Sequence, residues 1–199
     1  IRRQRQMVIR DRFTGDPVRF GFPKPDYKMY ESHPVVNSLI LHHLGHGDIH
    51  VKADIARLDG DTVHFKDGTQ ADYDLILAAT GYKLHYPFLD HTLLNWQGMA
   101  PRLYPNIFAP RYDRPAVLGM VEASGIGWQG RYEQAELVAR QFKALDDGAA
   151  SAKALTAAKA GPPPDLSGGY KYLKLERMAY YVHKDTYRAA VRKAAEALG

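Results

Sequence analysis

Cysteine is absent from all 199 residues. That excludes disulfides, thiolate metal centres and cysteine nucleophiles, and it fits a reducing compartment. No apolar run approaches the ~20 residues that cross a bilayer, and no basic-then-apolar leader opens the chain. Internal repeats, zinc-finger spacings and aromatic RNA-binding signatures are also missing. With 45% hydrophobic and 25% charged residues, the composition is that of a soluble globular protein, long enough for one good core or two small ones.

The net charge of +5 is concentrated at one end. Residues 1–28 carry eight Lys/Arg against Asp11, Asp16 and Asp26, and the remainder is balanced. Such a segment is either a solvated helix face over residues 1–12 or a surface for nucleic acid or a phosphate-bearing cofactor. "TGDP" (14–17) ends that helix, and the two prolines of "GFPKPDY" (21–27) impose an extended loop.

Four histidines, His42, His43, His46 and His50, fall within nine residues. His42 and His46 could share a zinc only on a continuous helix. The expected helix runs from Ser38 to Leu44 and stops at Gly45, so these read as surface histidines.

Next, "IHVKADI" (49–55) and "TVHFK" (62–66) alternate with period 2, with "DGDT" and "KDGT" at the turns. "ADYDLILAAT" (71–80) ends in a continuous apolar stretch, the pattern of a strand covered on both faces. "AVLGMV" (116–121) reads as a second buried strand. A helix is expected over 132–145, with Leu137, Val138 and Phe142 inward. "AGPPPDLSGG" (160–169) is a linker or surface loop. The tail, 172–198, reads as a helix with Leu173, Leu175, Met178, Ala179 and Val182 on its apolar face. Its tyrosines belong to a packing stripe or, alternatively, to a cofactor contact.

"GIGWQG" (125–130) matches G-x-G-x-x-G letter for letter, but not in context. Glu122-Ala123-Ser124 separate it from the strand, Trp128 is bulky, and Asp146-Asp147 end a helix where the fingerprint places an acid after a strand. What remains is a strand, a glycine turn and a helix N-terminus. That is either a plain turn or a seat for a phosphate or an anionic ring edge. "EASGI" is not a nucleophile elbow.

Taken in order, these segments resemble the C-terminal half of a flavin-containing monooxygenase, over about residues 20–145. The resemblance rests on His33-Pro34, Gly47 to Lys52, Phe65 to Thr69, the Ala79 to Tyr82 "ATGY", Pro87 to Leu89, and "LYPNIFAP…AVLGMVEASGIGWQGRYEQAELVARQF". The family's usual Gln-Pro in the closing turn stands here as Glu122-Ala123.

The resemblance implies an α/β fold. The chain would be the C-terminal portion of a flavoprotein with two Rossmann-like dinucleotide domains for FAD and NAD(P), plus a small β-meander and C-terminal helices. Residues 1–82 would close the nicotinamide domain, 83–150 the FAD domain, and 151–199 would be a helical extension. Thr80, Gly81 and Tyr82, then Glu122, Gly125 and Ile126, would lie beside the cofactor. No acid or base is assigned.

With FAD and NADPH, the whole enzyme would place one oxygen atom from O2 on a nucleophilic nitrogen or sulfur, or on a ketone, of a small-molecule substrate. Neither nucleic acid nor membrane would be a partner, and the location would be cytoplasmic. The chain begins at Ile1 and holds neither dinucleotide fingerprint, so the N-terminal half is expected to be missing and the piece alone inactive. The alternatives are a pyridine-nucleotide reductase without oxygen insertion and a non-catalytic basic binding module.

Overall fold

The computed structural model describes residues 16–28, 30–32, 37, 39–173, 175 and 178–199. The expected basic helix over 1–12 and the His33-Pro34 motif lie outside the described residues. Among the described residues the fold is α/β, with small sheets and four α-helices. The chain divides into two units, Ile1–Asp26 with Val35–Gly81, and Tyr27–Pro34 with Tyr82–Gly199.

In the first unit, a 3-10 turn at Pro17–Phe20 is capped by Asp16, whose carboxylate accepts from the Val18 N–H at 3.0 Å. Helix α1 spans Leu39–His46, two residues beyond the expected stop. Gly45 continues the helix, and a Cβ there would lie 3.5 Å from the Phe20 ring. The true stop is Gly47, at φ 80°.

The expected meander is present as β1 (Ile55–Asp59), β2 (Thr62–Phe65) and β3 (Gln70–Asp72), antiparallel in that order. Both hairpins turn at the expected glycines. Gly60 (φ 59°) and Asp61 link the Asp59–Thr62 pair. At Gly68 (φ 84°), the Asp67 carboxylate accepts from the Thr69 N–H at 2.9 Å. Val63 and Phe65 of β2 are buried, and β1 is exposed throughout.

Two strand expectations fail here. The first strand begins at Ile55, not at 49, because residues 51–54 join no ladder. The third ends at Asp72. Residues 74–80 form no strand, and Leu75 and Leu77 are 81% and 85% exposed. An apolar run becomes a buried strand only when neighbouring strands take up its N–H and C=O groups, and no described residue does so.

The second unit is built around helix α2, Gly127–Asp146. It starts five residues earlier than expected, because Gly127 and Gly130 are helical. A Cβ on Gly130 would fall inside any allowed separation from Ile126 Cγ1, so only glycine lets the first turn close over Ile126. Helices α3 (Ala150–Ala160) and α4 (Lys184–Glu196) pack on α2. Leu137, Leu155, Tyr187 and Val191 join Ile107, Phe108, Val121 and Ile126 in the core. A smaller cluster gathers Leu94, Leu103 and Met120, beside the hairpin of β4 (Trp96–Gln97) and β5 (Ala100–Pro101).

The strand expected at 116–121 is broken by Gly119 at φ 87°. Met120 and Val121 are buried, but Leu118 faces out. Among the described residues of the expected tail helix, the α-helix starts at Lys184. Before it, the Val182 N–H donates to Glu122 O at 2.9 Å, which ties up backbone that a helix would have used.

The inward face of α2 is unusually polar, with Glu133, Gln134 and Gln141 buried beside Leu137. Glu133 and Gln134 are fully engaged, while Gln141 donates through Nε2 to Ala152 O at 3.5 Å and leaves its buried Oε1 without a partner. Glu133 accepts from Arg188 and Arg192 of α4, both at 2.6 Å. Gln134 donates to Tyr187 Oη at 2.6 Å and accepts from the Gly119 N–H at 2.9 Å. Lys159, also buried, donates to Tyr112 O at 2.8 Å and fixes α3 to the loop that precedes α2.

Two measurements check this packing. Gly130→Ala forces its new methyl into Ile126, and urea unfolding should show a loss of about 1–3 kcal/mol. An unchanged midpoint would mean that the first turn relaxes freely. The second concerns acid. Arg188, assisted by Arg192 and Gln129, holds the Glu133 carboxyl at about 2 against an ordinary 4.5, overriding the upward push of burial. The folded value is depressed, so the stabilisation is complete above 4.5 and is lost as pH falls through about 2. Between pH 6 and 2 the native chain should lose about 3 kcal/mol more than Glu133→Gln. Parallel pH profiles would remove Glu133 from the acid response.

Candidate functional site

The segment 119–130 is shaped by alternating demands. Val121 and Ala123 are buried, while Glu122 between them pairs through its backbone with the chain at 180–182. Gly125 turns the chain at φ 75°, and a side chain there would be strained whatever space it had. Ile126 then sits buried at the N-cap position of α2. It has no oxygen to offer the first turn, and that turn contains no acidic residue. The N-terminus of α2 therefore keeps the partial positive charge of its unpaired N–H groups. A Cβ on Gly127 would meet nothing within 4 Å, so the approach to this end is open. Trp128, on the first turn, is 87% exposed.

Of the residues expected near a cofactor, Glu122, Gly125 and Ile126 are thus within one turn of the chain, at the start of α2. Thr80 and Gly81 close the first unit and Tyr82 opens the second. All three are exposed and belong to no strand, with Gly81 at φ 83°. The rings of His42 and His46 lie 4.2 Å apart, tilted by 40°, on the continuous helix α1, where His46 Nδ1 lies 2.9 Å from His42 O. Among the described residues, no group of His, Asp and Glu is arranged to hold a metal ion.

Beside this turn the sequence hid a second feature. A cavity of about 200 Å³ is lined by Tyr30, Ser124, Tyr170, Tyr172, Tyr181 and the start of α4. Ser124 Oγ lies 3.1 Å from Tyr181 Oη. Tyr170 stacks on Tyr172 at 6.0 Å and on His183 at 5.6 Å. His183 caps α4: its Nδ1 accepts from the Thr186 N–H at 3.4 Å and lies 2.9 Å from Thr186 Oγ1. Gly168, at φ 61°, is required beneath the imidazole, because a Cβ there would overlap it. The one signal in the sequence is the tyrosine density of 170–181, which helical periodicity assigns to a packing stripe.

Burial, with Tyr181 and Tyr170 adding to it, pushes the Tyr172 phenol up to about 12. The folded value is raised, so this contribution to stability is whole below the ordinary 10 and is lost as pH rises through 12. Burial also raises the Tyr86 and Tyr187 phenols, so an ultraviolet titration should show several tyrosines ionising after the exposed ones, and Tyr172→Phe should remove one phenol's share of the late absorbance change. An unchanged late amplitude in the variant would assign that step to the other buried phenols.

The chain matches the model of the flavin-binding monooxygenase-like family over residues 6–161. It is 33% identical over 126 residues to dimethylaniline monooxygenase [N-oxide-forming] 2 of Rattus norvegicus, covering 62% of this chain and 23% of that protein. The guinea-pig protein (Cavia porcellus) of the same name is 31% identical over the same span. Flavin-containing monooxygenase 2 of Homo sapiens is 32% identical over 125 residues, 61% of this chain and 23% of that protein. The matched part thus spans about a quarter of these relatives. With more than half of its length matched by the family model, the chain belongs to the flavin-binding monooxygenase-like family.

Proposed function

We propose that the chain is part of a flavin-dependent monooxygenase using FAD and NADPH, with the α2 N-terminus as its flavin contact. The observation that carries this reading is the open, uncapped and acid-free first turn of α2, behind Gly125 and Gly127. Such an end stabilises negative charge developing on a ring in front of it. Gly125, Ile126 and Gly127 would offer backbone to the flavin. Glu122 is held by its neighbours at 180–182 on the approach. Bound flavin would supply the redox chemistry, taking electrons from NADPH and delivering one oxygen atom of O2 to a nucleophilic nitrogen or sulfur, or to a ketone. This chain's own part is to bind, orient and exclude water.

In the same reading, residues up to about 82 close a nicotinamide domain, 83–150 close a Rossmann-like FAD domain, and 151–199 extend it. Thr80, Gly81 and Tyr82 fall at the passage from one to the other. The exposed run at 74–80 supports a longer polypeptide, since it has the composition of a sheet interior and no ladder partner among the described residues. No helix among the described residues is long and apolar enough to cross a membrane, and the location proposed for the whole protein is cytoplasmic.

The test has two arms. The isolated 199 residues should retain no stoichiometric FAD and should not oxidise NADPH. Within the longer polypeptide, Gly125→Val should lower flavin occupancy about tenfold, because φ 75° excludes a branched side chain. NADPH oxidation that consumes O2 without an oxygenated product would favour a reductase instead. Undiminished flavin in Gly125→Val would remove the α2 turn from the cofactor site.

A further inference from the structure

The turn at Gly125 does not hold itself in place. Its own closing bond, from the Ile126 N–H to Ala123 O, is 3.3 Å long, beyond the usual ~2.9–3.0 Å. Gly125, with no Cβ, leaves the backbone around it free to move. Support comes from a distant stretch of chain. The Glu122 N–H donates to Tyr180 O at 3.2 Å and the Val182 N–H donates to Glu122 O at 2.9 Å, which sets Glu122 parallel to Tyr181. Two residues on, the side chains repeat the tie, with Ser124 Oγ 3.1 Å from Tyr181 Oη. The stretch 180–182 thus grips the turn twice, by backbone at Glu122 and by a phenol at the residue before Gly125.

The gripping stretch is itself anchored. Arg102 Nη1 donates to Ala179 O at 3.2 Å, and Asn106 Nδ2 donates to Tyr180 O at 3.2 Å. The His183 N–H donates to Leu166 O at 2.8 Å, and Val182 is buried. The Tyr181 ring meets Tyr172 at 64°, with centroids 4.9 Å apart. A phenol so placed has already lost its rotamer freedom, so holding a hydroxyl costs it little more. The family model's match closes at residue 161. A turn inside the matched span is therefore held by residues from beyond it.

We propose that Tyr181 is a positioning residue for the cofactor turn, its phenol holding Ser124 Oγ so that the start of α2 faces the flavin. The inference rests on the flavin reading and adds to it a residue from outside the family-matched span.

The test compares Tyr181→Phe, Ser124→Ala and the double variant in the longer polypeptide, each single change removing one hydroxyl. Without FAD, the Ile126 amide should exchange its hydrogen about fivefold faster in either single variant, while the Leu137 amide in mid-α2 keeps its rate. With FAD, each single variant should bind the oxidised flavin about fivefold more weakly. The double variant should bind no more weakly than the singles, since all three lack the same bond. Reduced FAD should lose more affinity than oxidised FAD, which makes the midpoint potential of the bound flavin more negative. A merely structural role would weaken both redox forms alike. Additive losses in the double variant, or equal weakening of the two redox forms, would overturn the inference. If Gly125→Val lowers occupancy while both single variants bind FAD normally, the inference fails and the flavin reading stands. If Gly125→Val leaves occupancy undiminished, the reading fails and takes the positioning role with it.

Discussion

Everything in the second unit depends on one buried carboxylate. Glu133 is only 7% exposed, a position where an unpaired charge costs several kcal/mol. It is tolerated because two guanidinium groups, one helical turn apart on α4, converge on it. The pairing is directional as well as favourable. Arg188 and Arg192 can both reach Glu133 in only one register of α4 against α2, so the clasp fixes which residue of α4 faces which turn of its neighbour. At the next position, Gln134 repeats the arrangement with neutral groups, through Tyr187 and the Gly119 N–H.

Register of α4 in turn decides the chemistry available at its start. His183 caps that helix, stacks on Tyr170 and sits over Gly168. Lys184 and Asp185 follow at once on the cavity wall. Sliding α4 by a turn would remove all of these together. The same two helices bracket the turn at Gly125, since α2 begins there and the chain entering α4 pairs with Glu122. Core packing and candidate site are therefore parts of one arrangement.

Membership of the flavin-binding monooxygenase-like family gives the α2 turn a context, and the structure gives it a physical basis. A glycine with positive φ, a buried Ile126 and a glycine under the next turn let the helix start abruptly, with its first N–H groups facing open space. No acidic side chain neutralises that end. A chain selected only to make a turn has no need of this combination, because an ordinary Ser or Asp cap would give a more stable helix.

Local pattern was enough for part of this molecule. The meander, its two glycine turns, the body of α2 and the loop after α3 all follow from short-range rules of alternation, φ > 0 and helical period. The ordered motifs from Gly47 to Phe142 were enough to mark the family. Segments whose state depends on distant partners were not legible. Residues 74–80 carry the composition of a buried strand, but burial requires neighbouring strands, which no local pattern can guarantee. The tail 170–183 has helical periodicity, yet its backbone is taken up by Glu122, Glu31 and Leu166 from far along the chain. The tyrosine cavity was equally hidden, because Tyr30, Ser124 and Tyr172 come from segments far apart in the chain, joined by contacts such as the Leu173 N–H to Glu31 O hydrogen bond. The sequence by itself determined the turns, the helix-forming stretches and the family. Tertiary structure decided which polar residues could be buried and where the tyrosines converge, because both depend on pairings between groups that are distant in the chain.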